Sequence, residues 1–231
     1  MATLHLIRHG QASFGAENYD QLSKTGQQQG RVLGQWLAGQ TRPGAVFCGS
    51  LKRHEQTLAA MAEGFGADWS GITATEAGMN EFDHLPVIQA YNPAWADRKV
   101  MAKDLAAASH PGKAFQKAFV KAVERWVAGD HDSDYPETWQ AFKARVHKGL
   151  DRITTDAAGA QHVFVVTSGG PIMVAMQQLL GLSDRRALGL NEVLANASVS
   201  RVLFSGDRRS LAVFNNFAHL EAADPALVTY R

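Results

Sequence analysis

Cysteine is almost absent from this chain. Cys48 is the only one in 231 residues, which excludes a disulfide framework and argues against a cysteine-based zinc site. Charge of one sign is also missing. Lys and Arg total 23 against 22 Asp and Glu, a net charge of +1, so the chain as a whole offers no basic surface to nucleic acid or to an acidic membrane. Any anion site must be local. Long hydrophobic runs are lacking too. Residues 162–183 carry no charged side chain except His162, yet Ser168-Gly169-Gly170-Pro171 breaks the run and Gln177-Gln178 follow. At the start, Arg8 arrives before a signal-peptide apolar region could form. Repeats and low-complexity segments are absent. These absences predict a cytoplasmic protein with no membrane and no nucleic-acid partner. Its oligomeric state cannot be read from the sequence.

What is present is a globular pattern. Hydrophobic residues make up 45% and charged residues 19%, and the length suffices to bury a core without staples. Residues 1–231 read as a single domain. Thr3 to Ile7 is a short apolar strand. Ser23 caps a helix running to about Ala38, with Val32, Leu33, Trp36 and Leu37 on its buried side. Ala45 to Cys48 is a second strand, and Ser50 is expected to cap the helix after it, which Gly64 and Gly66 end. Ile72 to Glu76 alternates like a weak strand. The region from about His84 to Ala158 contains no strand. Its last helix places Trp139, Phe142, Val146, Leu150 and Ile153 on one face. Val163 to Thr167 has the apolar run of a strand covered on both faces. A helix with Pro171 in its first turn follows, then two strands flanking Ser205-Gly206-Asp207. The order predicts an α/β three-layer sandwich: a mostly parallel central sheet, an antiparallel edge strand and a helical insertion at about 85–136.

In such a sheet, ligands bind beyond the carboxyl ends of the strands. Three ends carry chemistry. The first leads into Arg8-His9-Gly10, the second into Ser50-Leu51-Lys52-Arg53-His54, the fourth into Thr167-Ser168-Gly169-Gly170. Two arginines suit a doubly charged anion, because a guanidinium grips phosphate oxygens in a fork and keeps its charge. The helix start near Gly170 adds backbone N–H donors. A neighbouring cation keeps His9 neutral, so its imidazole can attack phosphorus. Glu81, after the third strand, is placed to protonate a leaving oxygen. Each element also has a plain reading: Arg53 as a solvated charge, Gly169-Gly170 as a turn, Glu81 as a surface acid. No third ligand joins His5 and His9 to make a metal site.

Five segments in order resemble the histidine phosphatase superfamily in its phosphoglycerate mutase-like branch. They are Leu6-Ile7-Arg8-His9-Gly10-Gln11, the helix start Leu22 to Gly30, Ser50 to Thr57, Asn80-Glu81-Phe82, and Asn215 to Leu220. The resemblance implies a phosphoglycerate mutase-like fold, with His9 as the phosphorylated nucleophile, Arg8 and Arg53 clamping the phosphoryl oxygens, and Glu81 as proton donor. It also implies a small phosphorylated substrate, no metal and no organic cofactor.

Two positions depart from the family pattern. A second histidine is typical where this chain has Ser168, and a neutral hydroxyl gives roughly half the hydrogen-bond strength of a charged donor. The Gly169 and Gly170 N–H groups or another cation, His54 first and His84 second, could make good the loss. The loop Gln11 to Gly15 lacks an asparagine, leaving Gln11 or Ser13 as phosphate donors. The expected function is a phosphomonoester phosphatase working through phospho-His9. The alternatives are a weakly active phospho-ligand-binding or regulatory protein and a phosphoglycerate mutase. Histidine at position 168 should raise turnover if serine is a handicap, and should leave it unchanged or lower if the pocket has been rebuilt around serine.

Overall fold

A computed structural model describes residues 1–13 and 20–230. Phe14 and Gly15, part of the loop that lacks the family asparagine, lie outside the described residues. The chain divides into two compact units, residues 1–81 with 145–231, and residues 82–144.

The first unit holds a six-stranded sheet. Its elements are β1 (Ala2–Arg8), α1 (Lys24–Ala38), β2 (Ala45–Cys48), α2 (Lys52–Phe65) and β3 (Thr73–Thr75). After the second unit come β4 (His162–Thr167), α7 (Gly169–Leu180), α8 (Asp184–Val193), β5 (Val199–Ser205), β6 (Arg208–Asn216) and α9 (Ala218–Ala223). Strand order is β3-β2-β4-β1-β5-β6. The first four run parallel; β5 is antiparallel to both β1 and β6. The strand running against the rest is thus β5, inside the edge, and the hairpin partner β6 forms the edge itself.

Alternation along the strands separates the two faces. Ile7, Val46, Phe164 and Val166 pack with Val32, Leu33 and Leu37 of α1, Met61 of α2 and Leu220 of α9. Leu4, Leu6 and Val202 face the other way and surround a small cavity with Leu150, Ala175 and Leu179. The central strand β4 shows why this layering is stable. Val163, Phe164, Val165 and Val166 are all 0% exposed, and burying each such side chain contributes about 1.5–3 kcal/mol.

The second unit is helical: α3 (His84–Tyr91), α4 (Arg98–Ala106), α5 (Pro111–Ala128) and the first residues of α6 (Trp139–Asp156). An aromatic cluster of Phe82, Trp126, Trp139 and Phe142 forms its core, with Phe82 and Trp126 ring centres 4.7 Å apart. Trp95 is buried and donates to Asp104 at 2.9 Å. Among the described residues, no helix is long and apolar enough to cross a membrane.

One capping expectation fails. Ser23 caps α1 by accepting from Gly26 N–H at 3.0 Å. Ser50 does not cap α2: its hydroxyl accepts from the Asn80 carboxamide at 2.7 Å. The free N–H groups of α2 go to Asp20, whose carboxylate accepts from Lys52 N–H at 2.9 Å and Arg53 N–H at 3.4 Å. A carboxylate outcompetes a hydroxyl there because it carries charge toward the positive end of the helix.

Candidate active site

Strand register assembles the site. Arg8, the last residue of β1, pairs with Thr167, the last of β4, and His9 N–H donates to Thr167 O at 2.8 Å. On the other side of β4, Gly49 N–H, just past β2, donates to Val166 O at 3.0 Å. Three strand ends therefore lie side by side and bring His9, Ser168 and the start of α2 together.

His9 is buried, with 7% exposure. Its Nδ1 lies 2.7 Å from Gly10 O. A carbonyl only accepts, so Nδ1 carries the proton and Nε2 presents a lone pair. Arg53 Nε–H points at that lone pair from 3.2 Å. Burial lowers the His9 pKa well below 6.5, and Arg53, His54 and Arg8 lower it further, against the opposing pull of the Gly10 carbonyl. The neutral imidazole is thus the resting form near pH 7.

Arg53 is oriented by Asp20, which accepts from Nη1 at 2.8 Å. Arg8 Nη1 donates to the carbonyls of Leu194 and of Tyr230, the latter at 3.3 Å. The Arg8 side chain passes Gly169, where a Cβ would stand 3.7 Å from Arg8 Nε and only 2.2 Å from Asn191 Oδ1. A side chain there would push the Asn191 carboxamide aside. Glu81 sits at the amino end of α7 and accepts from Gly170 N–H at 3.0 Å. His54 Nε2 and Ser168 Oγ are 2.7 Å apart. His9, Arg8, Arg53, Glu81, His54, Ser168, Gly169 and Gly170 are therefore linked through direct contacts or shared strand ends.

Gln11 and Ser13 have other bonds. The Gln11 carboxamide oxygen accepts from Ser23 Oγ at 2.8 Å, its N–H donates to Gln29 at 2.8 Å, and Ser13 N–H donates to Gln21 O at 2.7 Å. These bonds tie the loop to α1 and its approach, not to the His9 cluster. The Gln11 bonds, through its backbone N–H and side-chain oxygen, help fix the start of α1.

Several positioning groups escape sequence reading. Arg145 Nη1 donates to the carbonyls of Gly78 and Asn80, each at 3.0 Å, and straps the loop that carries Glu81. Thr167 Oγ1 donates to Met79 O at 2.5 Å from the other side. Arg145 and Asp20 look like ordinary surface charges in sequence. Thr167, a polar end on an apolar strand, is the one group with a visible signal. Asn215 accepts from Ala195 N–H at 2.9 Å, and next to it Asn196 Nδ2 donates to His9 O at 3.3 Å. The closing motif thereby supports the turn beneath His9. Among the described residues, no group of three or more His, Cys, Asp or Glu is placed to hold a metal.

Four buried histidines have depressed pKa values: His5 to about 4, His54 to about 3, His219 to about 4, and His9 by direction alone. Burial is the leading cause for each. All four are neutral in the fold and ordinary in the unfolded chain. Below pH 6.5 the unfolded state therefore binds more protons, and stability falls as pH drops toward 4. Each such group removes about 1.4 kcal/mol per pH unit. Melting temperature should drop steeply between pH 7 and 5; a flat profile over that interval would contradict the neutral assignments.

Comparison with known proteins bears on this cluster. The sequence model of the histidine phosphatase superfamily (branch 1) matches residues 4–87 and 106–217. Among solved structures, a phosphoglycerate mutase from Bacillus anthracis is 17% identical, with 95% of each chain covered and a TM-score of 0.64. An alpha-ribazole phosphatase from Shigella flexneri is 19% identical over 93% of this chain and 96% of its own, TM-score 0.62. A mutant phosphoserine phosphatase from Entamoeba histolytica, solved with phosphoserine, is 16% identical over 95% of this chain and 100% of its own, TM-score 0.65. At these identities the likeness is one of fold. No curated protein matches the chain.

Proposed function

Because the chain belongs to the histidine phosphatase superfamily, branch 1, we propose that it is a phosphomonoesterase that passes a phosphoryl group through His9. The observation that carries this reading is the tautomer. Gly10 O holds the proton on Nδ1, so Nε2 carries the lone pair; it accepts from Arg53 Nε–H in the resting site and turns to phosphorus when that guanidinium takes the phosphoryl oxygens. Nε2 attacks phosphorus; the P–N bond forms as the P–O bond to the alcohol breaks. Arg53 and Arg8 hold the charge of the transferring group, which is where phosphoryl transfer gains most of its rate. Glu81, entering protonated, gives its proton to the leaving oxygen. As a carboxylate it then takes a proton from water, whose oxygen attacks phosphorus. The P–N bond breaks, inorganic phosphate leaves, and His9 and Glu81 return to their starting states. Substrates of the class bound or hydrolysed by the structural neighbours, small phosphomonoesters such as phosphoserine, suit a site of this kind.

A second reading, a phospho-ligand binder with little turnover, is favoured by Ser168, which supplies a neutral donor. A mutase fits less well, since it must transfer the phosphoryl group repeatedly while excluding water.

Acid-quenched and alkali-quenched single turnovers of an aryl phosphate separate the readings. The expected result is stoichiometric phosphate on His9, labile to acid and stable to alkali. Turnover without such a label overturns the phosphohistidine route. Ligand binding with no turnover of any small phosphomonoester supports the binder instead.

A further inference from the structure

Ser168 holds the N-cap position of α7, where a serine hydroxyl ordinarily accepts from a helical N–H one turn in. It makes no such bond. Glu81 accepts from Gly170 N–H instead, and Ser168 Oγ turns to His54 Nε2 at 2.7 Å. Both residues are fully buried. The His54 ring, from the first turn of α2, stands 5.7 Å from the His9 ring. It fits because residue 49 is glycine: a Cβ there would fall 2.2 Å from His54 Nδ1. Three separate segments thus leave room for one polar pair beside the nucleophile. A buried imidazole and hydroxyl carry a desolvation penalty that their mutual bond offsets, and this pair lies within reach of the nucleophile's ring.

Tautomer logic says which one. A neutral imidazole offers one donor and one acceptor. The Gly49 carbonyl beside the ring pulls the His54 proton toward Nδ1 in the empty site; an incoming anion favours the other tautomer, because with the proton on Nε2 His54 donates to Ser168 Oγ and the serine O–H remains to donate to the anion. In the opposite tautomer the serine would turn lone pairs toward an incoming anion, which repels it.

We propose that His54 and Ser168 form a relay to the phosphoryl group: His54 Nε2–H donates to Ser168 Oγ, and Ser168 O–H donates to a non-bridging phosphoryl oxygen next to His9. This rests on the phosphoryl-transfer reading and deepens it. Ser168 is the group that touches the phosphoryl oxygen; His54 is a positioning residue acting through it. The relay also answers the departure at position 168. An imidazole is present after all, carried by α2 and one hydroxyl removed. It follows that histidine at 168 alone collides with the ring of His54, so that variant should lose activity rather than gain it.

The test uses the full chain and six variants: S168A, H54A, H54A/S168A, H54Q, S168H and H54A/S168H. Two quantities are measured on each, turnover of 4-nitrophenyl phosphate and the dissociation constant for orthovanadate, with circular dichroism to verify folding. S168A and H54A should each lower kcat about tenfold and weaken vanadate similarly, the effect of leaving one buried hydrogen-bond partner unmatched. Because the two act in series, the double variant should be no worse than the weaker single variant by more than about twofold. H54Q, whose carboxamide can still donate, should recover most of the loss seen in H54A. H54A/S168H should exceed S168H by about tenfold or more, since removing one ring makes room for the other. Losses that multiply in the double variant, or an S168H enzyme as fast as the wild type, overturn the relay. If a His54 variant fails to fold, S168A with S168H decides: full activity in either overturns it. A wild type that binds vanadate through Ser168 yet hydrolyses nothing refutes the phosphatase reading and leaves the relay standing. Normal hydrolysis with S168A and H54A both unaffected does the reverse.

Discussion

Alanine at position 9 is expected to reduce turnover of an aryl phosphate by roughly 10⁴–10⁶-fold, the range seen when a covalent nucleophile is removed. The loss should fall on kcat rather than KM. Arg53 remains tied to Asp20 by an ion pair of 2.8 Å, and Arg8 remains tied to backbone carbonyls, so the two guanidinium groups proposed to hold the phosphoryl oxygens keep their places. The fold should survive too. The backbone bond from residue 9 to Thr167 O, 2.8 Å, does not involve the imidazole. Phosphate trapped on the protein should vanish in the same variant. A His9→Ala protein within tenfold of wild-type kcat would show that hydrolysis does not pass through this ring.

Glutamine at position 81 tests the acid. Its carboxamide oxygen can still accept from Gly170 N–H, the 3.0 Å bond that Glu81 makes, so the start of α7 is preserved. What is lost is the proton. The expected signature is a dependence on the leaving group. An alkyl phosphate, whose alkoxide needs protonation, should slow by about 10²–10⁴-fold, the usual worth of general acid catalysis. A 4-nitrophenyl phosphate should slow far less in the first step, because nitrophenolate departs without help. Equal losses for both substrates would remove Glu81 from the proton-donor role. Position 81 suits that role because Arg145 and Thr167 strap residues 78–80 and so fix the backbone leading into it from two sides.

The strands and the main helices were legible because their signals are local. The short, valine-rich run Val163 to Val166, closed by Ser168-Gly169-Gly170, reads as a strand covered on both faces, and the structure buries all four residues completely. Ser23, three residues ahead of the N–H it accepts from, is a cap visible in the chain itself. Ser50 looked equivalent and was not, since a carboxylate from residue 20 reached the same helix end. The ties of Gln11 to Ser23 and Gln29 carry no signal in the sequence either, since they join the loop to a helix that only the fold brings alongside.

The sequence by itself determined the chemistry at the strand ends: a histidine between arginines, an acid after the third strand, a glycine pair opening a helix. Those identities are properties of single positions and short spacings. Tertiary structure decided the partnerships. Ser168 meets His54 across 114 residues of chain, and Arg53 meets Asp20 across 33. Such bonds depend on β4 lying between β1 and β2, an order made by chain crossovers and encoded in no local pattern. A hydrogen bond needs its atoms within about 3 Å, and only the folded sheet brings those strand ends that close.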